Sequence, residues 1–118
     1  MRTVDFDING KKYPLCFSTR VLCNVTEKFG GLDKMSAAMV SEDLSVKLET
    51  MLWALGEMLK AGKKYCDLMG EKANDPPKSE DLADLFGIDD LKDISPKIYE
   101  AITAGKKREV EADPPKNA

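Results

Sequence analysis

Alternation opens the chain. Val4, Phe6 and Ile8 fall on one face of an extended segment, Asn9-Gly10 interrupts it, and Tyr13, Leu15 and Phe17 resume in phase. Asn-Gly supplies the two positive φ angles of a type I′ turn, so the stretch from Thr3 to Phe17 is predicted to be a β-hairpin. Pro14 has no N–H for a ladder, which places the second strand at an edge or turns that position outward. A lone hairpin is marginal in water, so its apolar face is expected to cover helices.

From there the period changes to that of a helix. Ser18 or Thr19 is positioned to cap a first helix carrying Val21, Leu22, Val25 and Phe29, which Gly30-Gly31 ends. Leu32, Met35 and Met39 mark a short second helix ending near Val40. The third is the longest: Leu48, Met51, Leu52, Leu55, Met58 and Leu59 make a wide stripe from Ser45 to Ala61. It either breaks at Gly62, which costs about 1 kcal/mol relative to Ala in a helix, or runs on through Tyr65, Leu68 and Met69.

The polar segment 70–79, with its paired prolines, is a loop. Ser79 is expected to cap a fourth helix carrying Leu82, Leu85 and Phe86 up to Gly87, with Glu80 and Asp81 favoured by the dipole of its first turn. Ser95-Pro96 reads as the cap and first position of a fifth helix, in which Ile98, Tyr99 and Ile102 lead to Gly105. Residues 106–118 hold one large aliphatic side chain, Val110, and are expected to be a disordered polar tail. The fold class that results is α+β, mostly α: an N-terminal β-hairpin packed on about five helices, forming one domain over residues 1–105.

Composition then narrows the function. Among 118 residues, 18 are basic, 21 acidic and none is histidine. The acidic balance opposes nucleic-acid binding, which rests on clustered Lys and Arg. The missing imidazole removes Ser-His and Cys-His nucleophile pairs and zinc sites with His ligands. Cys16, Cys23 and Cys66 are odd in number and form no CxxC, so neither a disulfide framework nor a cysteine metal site is read, and a reducing cytoplasm is expected. No run approaches the ~20 apolar residues of a membrane span, and the N-terminus has no apolar leader stretch.

Chemistry is sparse elsewhere. Gly56–Lys64 superficially resembles a phosphate loop, but it has one residue too many between its glycines, lacks the final Ser or Thr and lies within a helix. Residues 71–100 carry nine acids against four bases, including Glu80, Asp81, Asp84, Asp89, Asp90 and Asp93, without calcium-loop spacing; they read as a solvated face or as a docking patch for a basic partner. Cys16 falls on the less apolar hairpin face and Cys23 off the main stripe of its helix, and neither has a setting that activates a thiol. No cofactor, metal or catalytic residue is assigned, and the expectation is a non-enzyme.

Trp53 is the most informative residue. At about 100° per residue it lies roughly 160° from the stripe centred on Leu48, Leu55 and Leu59, on the side of Val46, Glu49, Glu57 and Lys60. Two explanations stay open: a central helix buried on both sides, with Trp53 under the hairpin or the C-terminal helices, or a subunit or partner contact, where Trp is enriched. Methionines at 35, 39, 51, 58 and 69 are either core filler or a re-packable apolar surface. The candidate partner-binding residues are therefore Trp53, Val46, Met35, Met39 and Met58.

The segments Asp7-Ile-Asn-Gly-Lys-Lys-Tyr-Pro-Leu-Cys-Phe17, Thr19-Arg20, Glu27-Lys-Phe-Gly-Gly-Leu-Asp33, Leu59-Lys-Ala-Gly62 and Ile102-Thr-Ala-Gly105 give the chain a further character. Over residues 4–105 it resembles the small tail assembly chaperones of long-tailed, siphovirus-like phages and prophages. That family has no catalytic signature and no residue-level binding motif.

The resemblance implies a self-associating cytoplasmic protein that binds the long apolar tape measure protein, keeps it soluble and helps tail tube subunits polymerise around it. It also implies absence from the mature virion, and a longer frameshifted form that recruits tail tube protein, of which this chain would be the short counterpart. Other classes compatible with the composition are a structural tail or head-tail connector subunit and a small regulatory protein-binding module.

Overall fold

The computed structural model describes residues 2–106. Strands β1 (Thr3–Ile8) and β2 (Lys11–Cys16) form an antiparallel hairpin, followed by helices α1 (Thr19–Phe29), α2 (Leu32–Met39), α3 (Leu44–Leu68), α4 (Leu82–Leu85) and α5 (Leu91–Gly105). The fold is α+β and mostly α, an N-terminal hairpin with five helices, as the pattern predicts. Apart from Lys106, the polar tail expected over 106–118 lies outside the described residues.

The hairpin turns at Asn9 (φ 52°) and Gly10 (φ 84°), the pair of left-handed residues that a type I′ turn requires. The register pairs Ile8 with Lys11, Phe6 with Tyr13 and Val4 with Leu15, so Phe6, Ile8, Tyr13 and Leu15 share one face and are buried there. In a two-residue hairpin the pair next to the turn exchanges hydrogen bonds and the next does not. Alternation therefore puts Asp5↔Pro14 at a position without ladder bonds, where Pro14 has no N–H to lose.

Ser18 caps α1, its hydroxyl accepting from the Val21 N–H at 3.3 Å, and Gly30 ends it in the left-handed region. Asp43 caps α3 by accepting from the N–H groups of Ser45 and Val46 at 3.0 and 3.4 Å. The long helix does not break at Gly62. There α3 lies against the outer edge of β2, and a Cβ on Gly62 would overlap the Pro14 carbonyl oxygen. A second close approach brings the end of α5 onto the backbone of Phe17, where a Cβ on Gly105 would overlap the Phe17 carbonyl oxygen. Glycine here serves contact between backbones rather than helix termination.

The core runs from Phe6, Tyr13, Leu15 and Phe17 through Val21 and Val25 to Met35, Met39, Met51, Leu55, Met58 and Leu59, closing on Leu82, Ile94, Ile98 and Ile102. Cys16, expected on the less apolar face, is completely buried. Leu22 (40%), Leu68 (73%) and Met69 (60%) stay exposed although the helical stripes include them.

Two helix starts differ from expectation. Ser79 is not the cap of the fourth helix: it opens a 3₁₀ turn (Ser79–Asp81), makes no capping bond and packs its side chain where Gly56 leaves room. Helix α4 is a single turn, and Phe86 becomes extended so that its ring meets Phe6 edge-to-face at 6.1 Å. Likewise Ser95-Pro96 does not start α5, which begins at Leu91, after a 3₁₀ turn (Ile88–Asp90) in which Asp90 accepts from the Gly87 N–H at 2.8 Å. The extra turn buries Ile94 completely, which offsets the one helical hydrogen bond that Pro96 cannot donate.

Candidate functional site

The side of α3 that carries Trp53 forms the floor of an open groove of about 750 Å³. At 100° per residue, Val46, Glu49, Trp53, Glu57 and Lys60 fall within a narrow sector, and all five line it. Two walls flank them. The end of α1 supplies Lys28 and Phe29, while Ser79, Glu80 and Ala83 stand on the opposite side.

Contacts fix each wall to its side of the helix. The Asn24 amide of α1 donates to Glu57 Oε1 at 2.7 Å, and the Phe29 ring meets Trp53 edge-to-face at 5.4 Å with 76° between planes. Across the axis, Ser79 and Leu82 close on Gly56. Among the described residues none from the hairpin or α5 lines the groove, and Trp53 stays half-buried, packed against the core and against Phe29 of α1.

The polar groups are unevenly paired. Glu57 accepts from Asn24 and forms an ion pair with Lys60 at 3.1 Å, its own side chain only 13% exposed. Lys28 Nζ lies 5.5 Å from the Trp53 ring centroid and 5.7 Å from that of Phe29, within cation–π range of both. Thr50, buried beside the groove, donates its hydroxyl to the Val46 carbonyl at 2.7 Å and needs no further partner.

Of the residues singled out from the pattern, Trp53 and Val46 share this groove, Val46 being 39% exposed. Met35, Met39 and Met58 do not: all three are at most 1% exposed in the core. Their spacing serves packing, and as candidates for partner contact they are withdrawn. The pattern did not point to Lys28 or Phe29 as site residues, and it marked Glu80 only as a member of the acidic stretch that could dock a basic partner. Phe29 was legible as the last apolar residue of α1, but only the packing of α1 on α3 shows that it ends beside Trp53.

Charged side chains line the other recesses as well. A second recess, between the outer hairpin face and the end of α3, holds Lys63 paired with Asp67 at 2.9 Å and Asp75 at 3.5 Å. The hydrogen bond to Asp67 raises the Lys63 pKa, against a smaller opposing effect of desolvation. In the same recess burial pushes the Cys66 thiol up, with Glu71 and Asp67 adding to the shift. From the acidic stretch, Asp90 and Asp93 face Asp7 of β1 across a smaller recess. Among the described residues no cluster of His, Cys, Asp or Glu has the makings of a metal site, and no helix is long and apolar enough to cross a membrane. Residues 56–64 lie within α3, in keeping with the reading against a phosphate loop.

Comparison with protein-family models, with curated proteins and with solved structures yields no match. The resemblance described above therefore rests on the words of the sequence and the order of elements.

Proposed function

We propose that this protein is a phage or prophage tail assembly chaperone, a non-enzymatic protein that binds the tape measure protein and keeps it soluble while the tail tube assembles. The observation that carries this reading is the Trp53 groove: the chain's single tryptophan, half-buried between α1 and the Ser79–Ala83 wall, on a floor with Val46 and Leu52. An open-sided groove along a helix, with Phe29, Val46, Leu52 and Trp53 set among charged side chains, suits the apolar stripe of an amphipathic helix. A tape measure protein offers many such stripes in succession. Self-associating copies on one long client gain by multivalency what each contact lacks. Work would take place in the host cytoplasm, with a longer frameshifted form recruiting tail tube protein and no copy left in the mature virion.

The test is co-expression with a tape measure protein, followed by light scattering of the soluble fraction. The expected result is a client that is soluble only in complexes holding several copies of this chain, and lost from them when Trp53 is replaced by Ala. An insoluble client beside a monomeric partner overturns the reading, and recovery of the chain from purified virions would favour a structural tail or connector subunit instead.

A further inference from the structure

Resting on the reading of the Trp53 groove as a client seat, we infer that its two walls carry opposite charge and thereby dictate the direction in which a client helix lies. The floor from Val46 to Lys60 spans about 21 Å at 1.5 Å per residue, the length of a helix of about four turns. Such a helix exposes two flanks beside its apolar stripe, one toward each wall.

On the α1 side Lys28 lies over the two aromatic rings and has no acidic partner among the described residues, while Glu57 on that side is matched by Lys60 and Asn24. On the other side stands Glu80. Glu49 belongs with it, since it lies about 40° from Trp53 in the same sense as Gly56, the residue that meets Ser79. Lys28, Glu49 and Glu80 are all exposed, so their charges are available to an incoming chain. One wall is thus basic and aromatic, and the other acidic.

The occupant this fits is an amphipathic helix with Glu or Asp along one flank and Lys or Arg along the other. Turning a helix end for end exchanges its flanks, so a helix of that kind matches the walls in one direction and opposes them in the reverse. Like charges set against each other are a recognised means of rejecting a wrong pairing. On a client with a consistent charge pattern, successive copies would all face the same way.

Two synthetic 14-residue helices test this, each with a leucine stripe, one with lysines on the left flank and glutamates on the right, the other with the flanks exchanged. Each carries a nitroxide at its N-terminus and is added to the full chain while backbone amide signals are recorded. The expected result is that one peptide erases signals near Val46 and spares those near Lys60, and that the other does the reverse. The triple variant Lys28→Glu, Glu49→Lys, Glu80→Lys should invert both patterns. Equal broadening at the two ends with both peptides overturns the directional inference while leaving the groove a client seat. If neither peptide changes the Trp53 emission or any groove signal, the seat itself fails.

Discussion

Helix α3 presents two unlike surfaces. Around Gly62 it presses backbone to backbone on β2 in a tight seam, as the end of α5 does separately at Gly105 against Phe17. Around Trp53, two to three turns earlier, it faces an open groove with a half-buried indole and charges on both walls. The seam admits no added atom, whereas the groove has room for another chain. One helix therefore serves as both structural spine and exposed platform, and substitutions on its two faces should have separable effects.

The seam should break hardest. Gly62→Ala puts a methyl on a carbonyl that cannot move without dragging β2 off the helix, with an expected loss of about 3 kcal/mol or more in urea unfolding. The core beneath the groove comes next: Met58→Ala should cost about 3 kcal/mol, against less than about 0.5 kcal/mol for Met69→Ala at the exposed end of the same helix. A similar loss for both would mean that the buried and exposed methionines are not distinct in solution.

Trp53→Ala sharpens the contrast from the other side. Half-buried, packed on the core and touched by Phe29 and Lys28, it should cost about 1.5 kcal/mol in stability and, under the proposed function, abolish client solubilisation. Equal damage to folding from Trp53→Ala and Gly62→Ala would erase the distinction between platform and spine.

The smallest effect concerns pH. Burial raises the Cys66 thiol above its ordinary value of 9.0, so with rising pH the unfolded chain gives up that proton first. Above that value the native state binds more protons than the unfolded one, and stability falls until the native thiol also ionises. Chemical denaturation should therefore show an alkaline loss of stability that is smaller in Cys66→Ala. The exposed Cys23 should be alkylated well before Cys66 and the buried Cys16.

Much of this architecture was legible in the sequence, because its strongest signals are local. Asn9-Gly10 dictates its turn through backbone φ, and Ser18 caps α1 within three residues of itself. The phase of Trp53 along α3 correctly grouped it with Val46, Glu49, Glu57 and Lys60. The misreadings involve distant partners. Ser79 and Pro96 carry the local marks of helix starts, but packing against Gly56 and burial of Ile94 decide otherwise. Gly62 left a break and a continuous helix equally open, because the strand that lies against it is some fifty residues away in the chain. The methionine spacing is the same for core as for surface, and only the surrounding helices show that Met35, Met39 and Met58 are enclosed.

Pro14 has a consequence for assembly. The backbone groups of β2 that point away from β1 belong to Lys12, Pro14 and Cys16, and a free row of that kind is a template on which a foreign strand can grow. Here the middle of the row is occupied: Asn74 donates to the Lys12 carbonyl at 2.8 Å, Pro14 offers no N–H, and α3 lies against its carbonyl. The outer border of β1 remains, guarded by the carboxylates of Asp5 and Asp7. The hairpin thus offers little template for sheet extension, and contacts between copies of the kind the proposed function calls for would run through the helices rather than through strands stacked into fibres.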